Sequence, residues 1–300
     1  MSLQHLLPPD GVKELTTEWP DEPRVYDRGR TDVDAITADW LWEHVRLGCL
    51  PPVEVRALKS DVPSITEHAF STYGRLDGDR LRALYERGYT IRLGNLQRCV
   101  AAVGRLSHGI QEETGYSNYV HAFLTPAGQQ GLRHHWDQQM AVIVQLEGVK
   151  RWELWAPVVD APMRTFNESF RVWRTEWVDD WERRGPDQAV LLEPGQSLLV
   201  PRGWIHNPMS PKDADEGSVH LTFAIRERTP YWLAEQILAE ALKDPELRRV
   251  IRPGDLLGAG LPNQLSLVRR RLLHHLGTVD LGALAEQVAQ TALTDVEYTT

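Results

Sequence analysis

The spacing of apolar residues divides the chain into a strand-rich middle and helical flanks. Between residues 119 and 226, short apolar runs alternate with turn residues such as Pro126, Gly128 and Gly148. Six strands are predicted there: Val120–Thr125, Ala141–Leu146, Arg151–Trp155, Ala189–Leu192, Ser197–Val200 and Val219–Ile225. Many short strands separated by turns indicate a β-sandwich or a β-barrel.

Helices are predicted on both sides of this region, because apolar residues recur there every three to four positions. Before it, Leu81–Tyr85 fits a short helix, Tyr89–Leu93 a strand and Asn95–Glu113 a longer helix. After it, three segments have helical spacing, and they begin near Trp232, Leu265 and Leu281. The predicted fold class is therefore mainly β, with flanking helices and a helical C-terminal region.

These patterns predict three regions in the chain. Residues 1–84 are rich in Pro and charged residues, and we expect them to wrap the core and pack on it. Residues 85–226 form the β core, and residues 227–300 form the helical C-terminal region. The boundary lies near residues 226–230, where the strand pattern gives way to the helical one.

Composition and charge narrow the classes of function. The 300 residues include 33 Lys and Arg against 42 Asp and Glu, a net charge of −9. A protein held to nucleic acid by phosphate contacts needs a basic face, so direct nucleic-acid binding is not expected. No apolar run reaches the ~18 residues of a membrane span. The N-terminus also lacks the layout of a secretory signal, which favours a cytoplasmic protein.

The cysteine count limits the metal sites that the chain can form. Two cysteines, Cys49 and Cys99, cannot form a four-thiolate zinc site. Any metal is therefore expected to bind histidine and carboxylate groups.

One segment carries such groups at a useful spacing. His135 and Asp137 lie two residues apart, and side chains two apart on a strand share a face, whereas His134 points to the opposite face. His206 follows in a later strand-rich segment. Two histidines and one carboxylate form the facial triad of non-haem Fe(II) oxygenases. His-x-Asp also occurs by chance, so a surface histidine beside an aspartate remains an alternative at this point.

Eleven tryptophans give a further pattern around these residues. We expect Trp136 to face away from the metal into the packing between sheets, and Trp204 to share the face of His206 and border the pocket. In a polar insertion at residues 163–184, Trp173, Trp177 and Trp181 recur every four residues. This spacing predicts a helix face that covers the site or grips a peptide.

Four sequence blocks surround the three candidate ligands: Thr125–Gly131, Gln145–Trp152, Pro201–His206 and Ser218–Thr222. In order and spacing they resemble the JmjC-type Fe(II)/2-oxoglutarate oxygenases, and among these the ribosomal oxygenase branch. The resemblance covers residues from about 85 to 226. It implies a double-stranded β-helix, the jelly-roll or cupin architecture, as the catalytic core.

The resemblance also implies roles for individual residues. His135, Asp137 and His206 match the Fe(II) ligands of the family. Lys150 stands where the family places the basic residue that pairs with the distal carboxylate of 2-oxoglutarate. Thr222 matches a threonine that hydrogen-bonds the same carboxylate, and strand alternation puts it on a small, polar face.

Two residues depart from the family pattern at the cosubstrate site. Phe123 stands where many relatives have a tyrosine whose hydroxyl contacts 2-oxoglutarate, and His121 stands where an asparagine is usual. Losing the phenol hydrogen bond to a charged group removes about 1.5–3 kcal/mol if nothing replaces it. His121 lies on the same strand face as Phe123, and we expect it to compensate.

The implied activity is hydroxylation of an amino-acid side chain, with Fe(II) as cofactor and 2-oxoglutarate as cosubstrate. By resemblance, the target is an arginine or histidine of a ribosomal protein. A tailoring hydroxylase of a peptide natural product or free amino acid, and a non-catalytic metal-binding cupin, remain alternatives. Lysine demethylation uses the same chemistry, but nothing in the sequence indicates a chromatin-reading module.

The resemblance and the charge also suggest partners. The net charge of −9 is compatible with a basic protein or peptide substrate, although such a charge also serves solubility. Helices after the core form a dimerisation unit in the family. We therefore expect residues 227–300 to give a homodimer.

Overall fold

A computed structural model describes residues 2–163, 174–257 and 259–294, and the chain divides into two compact units, Met1–Arg226 and Glu227–Thr300. The strands of the first unit are β1 (Arg24–Asp27), β2 (Val55–Leu58), β3 (Ser71–Thr72), β4 (Arg75–Leu76), β5 (Thr90–Leu93), β6 (Asn118–Thr125), β7 (Met140–Glu147), β8 (Lys150–Trp155), β9 (Gln188–Leu192), β10 (Gln196–Val200), β11 (Ile205–Met209) and β12 (Ser218–Ile225). Its α-helices are α1 (Pro9–Thr17), α2 (Ala38–Leu47), α3 (Gly78–Glu86), α4 (Leu96–Cys99), α5 (Ala101–Thr114) and α6 (Thr175–Arg184). The helices of the second unit are α7 (Pro230–Glu240), α8 (Pro253–Leu256), α9 (Gly260–Thr278) and α10 (Leu281–Thr294).

Two antiparallel sheets form the core of the first unit. The larger has the strand order β1-β10-β7-β12-β6-β5-β2, and the smaller has the order β11-β8-β9. Ala141 and Ile143 of the larger sheet pack in one buried cluster with Trp152 and Leu154 of the smaller sheet. This arrangement confirms the predicted β core with helical flanks.

The alternation of side chains along β12 explains how the larger sheet serves two purposes. Val219, Leu221, Phe223 and Ile225 are buried in the main hydrophobic core. The residues between them, His220, Thr222 and Ala224, line a cavity on the other face. A strand turns successive side chains to opposite faces, so one face supplies stability and the other a site.

The N-terminal segment forms part of the core as well as wrapping it. Its strands β1 and β2 lie at the two edges of the larger sheet, and Leu3 and Leu41 are among its fully buried side chains. Arg28 is held by Asp34 at 2.7 Å and donates to the backbone oxygen of Gln145 in β7 at 3.2 Å. These contacts fix the segment against the sheet.

The predicted helix Asn95–Glu113 is wrong as one continuous element, since it is divided into α4 and α5. Val100 between them is extended, with φ −122° and ψ 108°. The break lets α4 dock on the sheet, where the Val120 nitrogen donates to Oε1 of Gln97 at 2.9 Å. Apolar spacing continues across the break, so periodicity alone does not show it.

The second unit is helical, as predicted. Arg271 of α9 binds Asp244 at 2.8 Å, and Nε2 of His275 lies 3.0 Å from the backbone oxygen of Ile237 in α7. Among the described residues of either unit, no helix has the length and apolar character needed to cross a membrane.

Candidate active site

His135, Asp137 and His206 are brought together by backbone pairing. His135 and His206 exchange two backbone hydrogen bonds, of 3.1 and 2.8 Å. The backbone nitrogen of Gly203 donates to the backbone oxygen of Asp137 at 3.0 Å. Residues 135–137 thus lie beside the chain that leads into β11. They form an isolated bridge instead of the strand that the sequence suggested, but the two-residue alternation holds.

The three side chains converge on one point. One ligand atom from each lies within 4.8 Å of the other two. Nε2 of His206 is 3.8 Å from Oδ2 of Asp137, and the two imidazole centroids are 4.1 Å apart. His134 points away, as predicted, with its ring stacked on Trp181 at 5.6 Å.

Backbone carbonyls orient both imidazoles. Nδ1 of His135 lies 2.6 Å from the Arg133 oxygen, and Nδ1 of His206 lies 3.0 Å from the Trp204 oxygen. Since a carbonyl accepts only, each Nδ1 carries a proton, and Nε2 is the ring atom left to face a metal. Such a hydrogen bond fixes the tautomer that a metal requires.

The electrostatics of His206 also suit a metal ligand. Burial, with a smaller contribution from neighbouring His135, lowers the pKa of His206 to about 4. The ring is therefore neutral at pH 7. Two imidazole nitrogens and one carboxylate are the donor set that suits Fe(II), so the residues present fit the ion that the sequence implies.

A cavity of about 190 Å³ opens beside these groups. All seven residues predicted to bind iron or cosubstrate line it: His121, Phe123, His135, Asp137, Lys150, His206 and Thr222. The cavity lies between the two sheets, with walls from β5, β6, β7, β8, β11 and β12.

Lys150 occupies one region of the cavity. It is 3% exposed, and its Nζ donates to Oγ1 of Thr125 at 2.7 Å, which also accepts from Thr90 at 3.1 Å. Among the described residues, Lys150 makes no ion pair. Burial lowers its pKa to about 7. A buried cation without a counter-charge is the environment that an anionic ligand completes.

Phe123 and His220 form the wall beside Lys150. Their rings stack with centroids 4.9 Å apart and planes at 12°. Burial, and then the Lys150 charge, lower the pKa of His220 well below its ordinary value. Nδ1 of His220 is buried, and it has no hydrogen-bond partner among the described residues.

His121 lies in another region of the cavity. Its Nδ1 accepts a hydrogen bond from the Asn95 nitrogen at 3.2 Å, and its ring packs against Tyr119 at 4.8 Å. Burial, with Arg92 next, lowers its pKa to about 3. The imidazole is therefore neutral, with its proton on Nε2.

The structure places Trp136 as the sequence predicts and Trp204 elsewhere. Trp136 faces away from the ligands, as predicted, and packs with Trp155 and Trp181. The prediction that Trp204 borders the cavity is wrong. Trp204 is buried between the sheets, and its Nε1 donates to the backbone oxygen of Asp21 at 2.8 Å.

The predicted tryptophan face of the insertion does not lie over the cavity. Trp177 and Trp181 of α6 pack against the buried aromatic cluster behind the ligands. Trp173 lies outside the described residues. The described tryptophans of α6 therefore anchor the helix, because these large rings gain most by leaving water.

Comparison with known proteins places this architecture in a family. Residues 97–232 match the family model for the JmjC domain. This segment resembles a JmjC domain.

Relatives of the JmjC domain occur in much longer proteins. The chain is 31% identical over 163 residues to the bifunctional lysine-specific demethylase and histidyl-hydroxylase NO66 of Drosophila persimilis, covering 54% of this chain and 22% of the relative. It is 31% identical over 222 residues to ribosomal oxygenase 1 of Gallus gallus, covering 70% of this chain and 35% of the relative. The chain thus spans about a fifth to a third of the length of these relatives.

A solved structure supports the fold of the JmjC domain. Escherichia coli ribosomal oxygenase YcfD, in complex with cobalt and 2-oxoglutarate, has a TM-score of 0.60 to this protein at 17% identity. The match covers 98% of this chain and 73% of that chain. This likeness confirms the cupin-type fold class.

The sequence assigned no role to several polar residues of this cavity, although strand alternation placed His220 on the face that lines it. Arg92, Tyr119 and His220 all line it, and Thr125 holds Lys150. Alternation along the predicted strands marks the cavity face of β6 and β12 and hence Tyr119 and His220. Arg92 gave no comparable pattern, because β5 is short.

Substitution of the ligands tests the metal site of the JmjC domain. We expect His135→Ala and His206→Ala each to weaken Co(II) binding by more than about 100-fold, since losing a ligand exceeds the effect of losing an outer-shell partner. Isothermal titration calorimetry measures the affinity.

His134→Ala is the matched control, because His134 adjoins a ligand but points into the tryptophan cluster. We expect it to bind Co(II) like the wild type. Equal losses in His134→Ala and His135→Ala, or unchanged binding in His206→Ala, would contradict the assignment.

Proposed function

We propose that the protein is an Fe(II)- and 2-oxoglutarate-dependent dioxygenase that hydroxylates an amino-acid side chain of a protein or peptide. The observation that carries the proposal is that two functional groups line the same cavity. The ligand set His135, Asp137 and His206 and the unpaired cation Lys150 both line it.

The protein residues have distinct roles in this proposal. His135, Asp137 and His206 would hold Fe(II) and leave coordination positions open for cosubstrate and dioxygen. When bound, Fe(II) supplies the oxidising chemistry: dioxygen, 2-oxoglutarate and a C–H group yield an alcohol, succinate and CO₂. The buried walls exclude bulk water from the reacting groups.

Lys150 is proposed to bind the distal carboxylate of 2-oxoglutarate, with Thr222 as a second contact. Thr125 fixes the Lys150 Nζ. We assign compensation for the missing phenol at Phe123 to His220 instead of His121. His220 stacks on Phe123 and lies within the field of Lys150, whereas Nδ1 of His121 is taken by Asn95.

Relatives support a protein substrate. Their names describe a histidyl-hydroxylase and a ribosomal oxygenase, so ribosomal proteins are the first substrates to test. The net charge of −9 favours encounter with a basic polypeptide. A cytoplasmic location is part of the same proposal, since Fe(II) and 2-oxoglutarate are both available there.

Succinate formation tests the activity directly. The protein is loaded with Fe(II) and 2-oxoglutarate without oxygen, oxygen is added, and succinate is measured with and without ribosomal proteins. We expect substrate-stimulated succinate and a +16 mass shift on the substrate in the wild type and in His134→Ala, and neither in His135→Ala. Absence of both 2-oxoglutarate binding and succinate would contradict the proposal and favour a non-catalytic cupin.

The pKa of Lys150 gives a prediction for cosubstrate binding. In the free protein Lys150 loses its proton as the pH rises through about 7, but a bound carboxylate favours the charged form. We expect 2-oxoglutarate affinity to fall above pH 7, with nearly one proton taken up per ligand at pH 8 and almost none at pH 6. Calorimetry in buffers of different ionisation enthalpy measures this uptake.

Two variants control this experiment. We expect Lys150→Met to weaken 2-oxoglutarate by about 30-fold or more and to abolish proton uptake, since removing one partner of a buried charge pair costs 2–5 kcal/mol. Arg151→Met removes the next cation along β8, which is exposed and pairs with Glu153, and it should behave like the wild type. Proton uptake that persists in Lys150→Met would contradict the role of Lys150.

We also propose that the second unit forms a homodimer. Among its described hydrophobic residues, those that are buried are Ala241 and Leu284. Leu265 and Leu273 of α9 are 61% and 62% exposed, and they lie on one helical face. Apolar helix surface of this extent supports association with a second copy.

Charge on this face tests the dimer. We expect the wild type to have twice the monomer mass in light scattering, and Leu265→Glu with Leu273→Glu to shift it to the monomer. Leu191→Glu, on exposed β9 of the first unit, is the control and should leave the mass unchanged. A monomeric wild type would contradict the proposal.

A further inference from the structure

A second cation faces the cavity, and the proposed function does not use it. Arg92 lies in the middle of β5, opposite Phe123 of β6, and it lines the cavity. Side chains directly opposite on antiparallel strands share a face, so the guanidinium lies on the same face as Phe123. Its Nε is fully buried, and no hydrogen-bond partner for it lies among the described residues.

The surroundings of Arg92 leave its charge uncompensated. Among the described residues it makes no ion pair. The carboxylate whose charge acts on it is Glu54, which accepts from Nδ2 of Asn95 at 2.8 Å and lies 3.8 Å from Arg98. Burial, with nearby Arg56 next, lowers the pKa of Arg92. A guanidinium nevertheless stays protonated at neutral pH.

Arg92 and Lys150 act on different parts of the cavity. The Lys150 charge lowers the pKa of His220, whereas the charges of Arg92 and Arg226 act on Tyr119 and His121. Both Tyr119 and His121 also lie within the field of Asp137. The region between Arg92 and the metal ligands is thus bounded by Tyr119 and His121. It adjoins the place assigned to the cosubstrate, since His121 lies opposite Thr222.

Counted over the residues that line it, the charges of the loaded cavity do not balance without a further anion. A divalent metal with Asp137 carries one positive charge, and Lys150 and Arg92 add one each. The 2-oxoglutarate dianion removes two, and the buried histidines with shifted pKa values are neutral. One positive charge remains, and burying an unpaired charge is strongly unfavourable.

We propose that the substrate group entering this cavity carries a carboxylate, which Arg92 binds beside the carbon to be hydroxylated. This inference rests on the proposed function. The carboxylate belongs to an acidic side chain of a peptide or to a free amino acid. An arginine or lysine side chain would instead meet a like charge in a region of low dielectric, which opposes its entry.

Binding of matched peptides tests the inference without turnover. The protein is loaded with Mn(II) and 2-oxoglutarate in the absence of oxygen, and the 2-oxoglutarate affinity is measured first. Pentapeptides with blocked ends and a central Glu, Gln, Asp, Asn, Arg or His are then titrated by calorimetry, with free glutamate as a separate arm. We expect a carboxylate peptide, or free glutamate, to bind at least about tenfold tighter than the amide and cationic peptides.

Variants of Arg92 show whether the preference comes from this residue. In Arg92→Gln we expect the carboxylate preference to fall below about threefold while 2-oxoglutarate affinity stays within about twofold of the wild type. Arg92→Lys keeps the charge and should retain part of the preference. Arg56→Gln is the control, since Arg56 lies next to Arg92 in the sheet but pairs with Glu67 at 2.9 Å, and it should keep the full preference.

The contradicting outcomes are separable. Preference for Arg or His peptides, or no carboxylate preference in the wild type, overturns this inference and leaves the proposed function standing. A loss of 2-oxoglutarate binding in Arg92→Gln as large as in Lys150→Met also overturns it, since Arg92 would then serve the cosubstrate. No 2-oxoglutarate binding in the wild type, seen before any peptide is added, overturns the proposed function and this inference together.

Discussion

The geometry of the site depends on the antiparallel bridge between His135 and His206. Its two backbone hydrogen bonds hold the segment that follows β6 against the chain leading into β11. Once this pairing is fixed, alternation sends successive side chains to opposite sides. His134 and Trp136 enter the aromatic cluster, and His135 and Asp137 face the cavity. The backbone bridge therefore aims the candidate ligands, and burial of the aromatic rings behind them stabilises the same segment.

The cavity departs from the rule that governs the rest of the core. On the other face of the larger sheet, β12 buries only apolar side chains, among them Leu221 and Phe223. Around the cavity, the fold places Lys150 of the smaller sheet and Arg92 of the larger one, and the described residues supply no carboxylate within ion-pair distance of either. Such burial lowers stability unless a ligand supplies the counter-charge. Conflict of this kind between local stability and burial is expected at functional sites, which is why we assign anionic ligands to these two cations.

Much of the core was predictable from the sequence, because strand alternation and ligand chemistry are local properties. The six predicted strands lie within one or two residues of the observed ones, and β12 alternates as expected. Features set by tertiary contacts were not predictable. Val100 interrupts a helical pattern so that Gln97 can reach β6, and β11 contains Pro208, which a strand tolerates at a sheet edge. Trp204 packs between the sheets because its indole reaches the backbone oxygen of Asp21, a residue far away in the sequence.

The net charge and the cavity charge act at different distances, so neither predicts the other. Surface charges are screened over about 8–10 Å at physiological ionic strength, and the charge of −9 therefore influences the encounter with a polypeptide and not the choice of side chain inside. Within the cavity, the effective dielectric is low, and a nearby charge dominates. An acidic surface can thus attract a basic polypeptide while Arg92 selects an acidic residue from it. In an enzyme of the proposed kind, the sequence around the modified residue matters for the rate of encounter, and the residue itself is chosen by pairing with the guanidinium of Arg92.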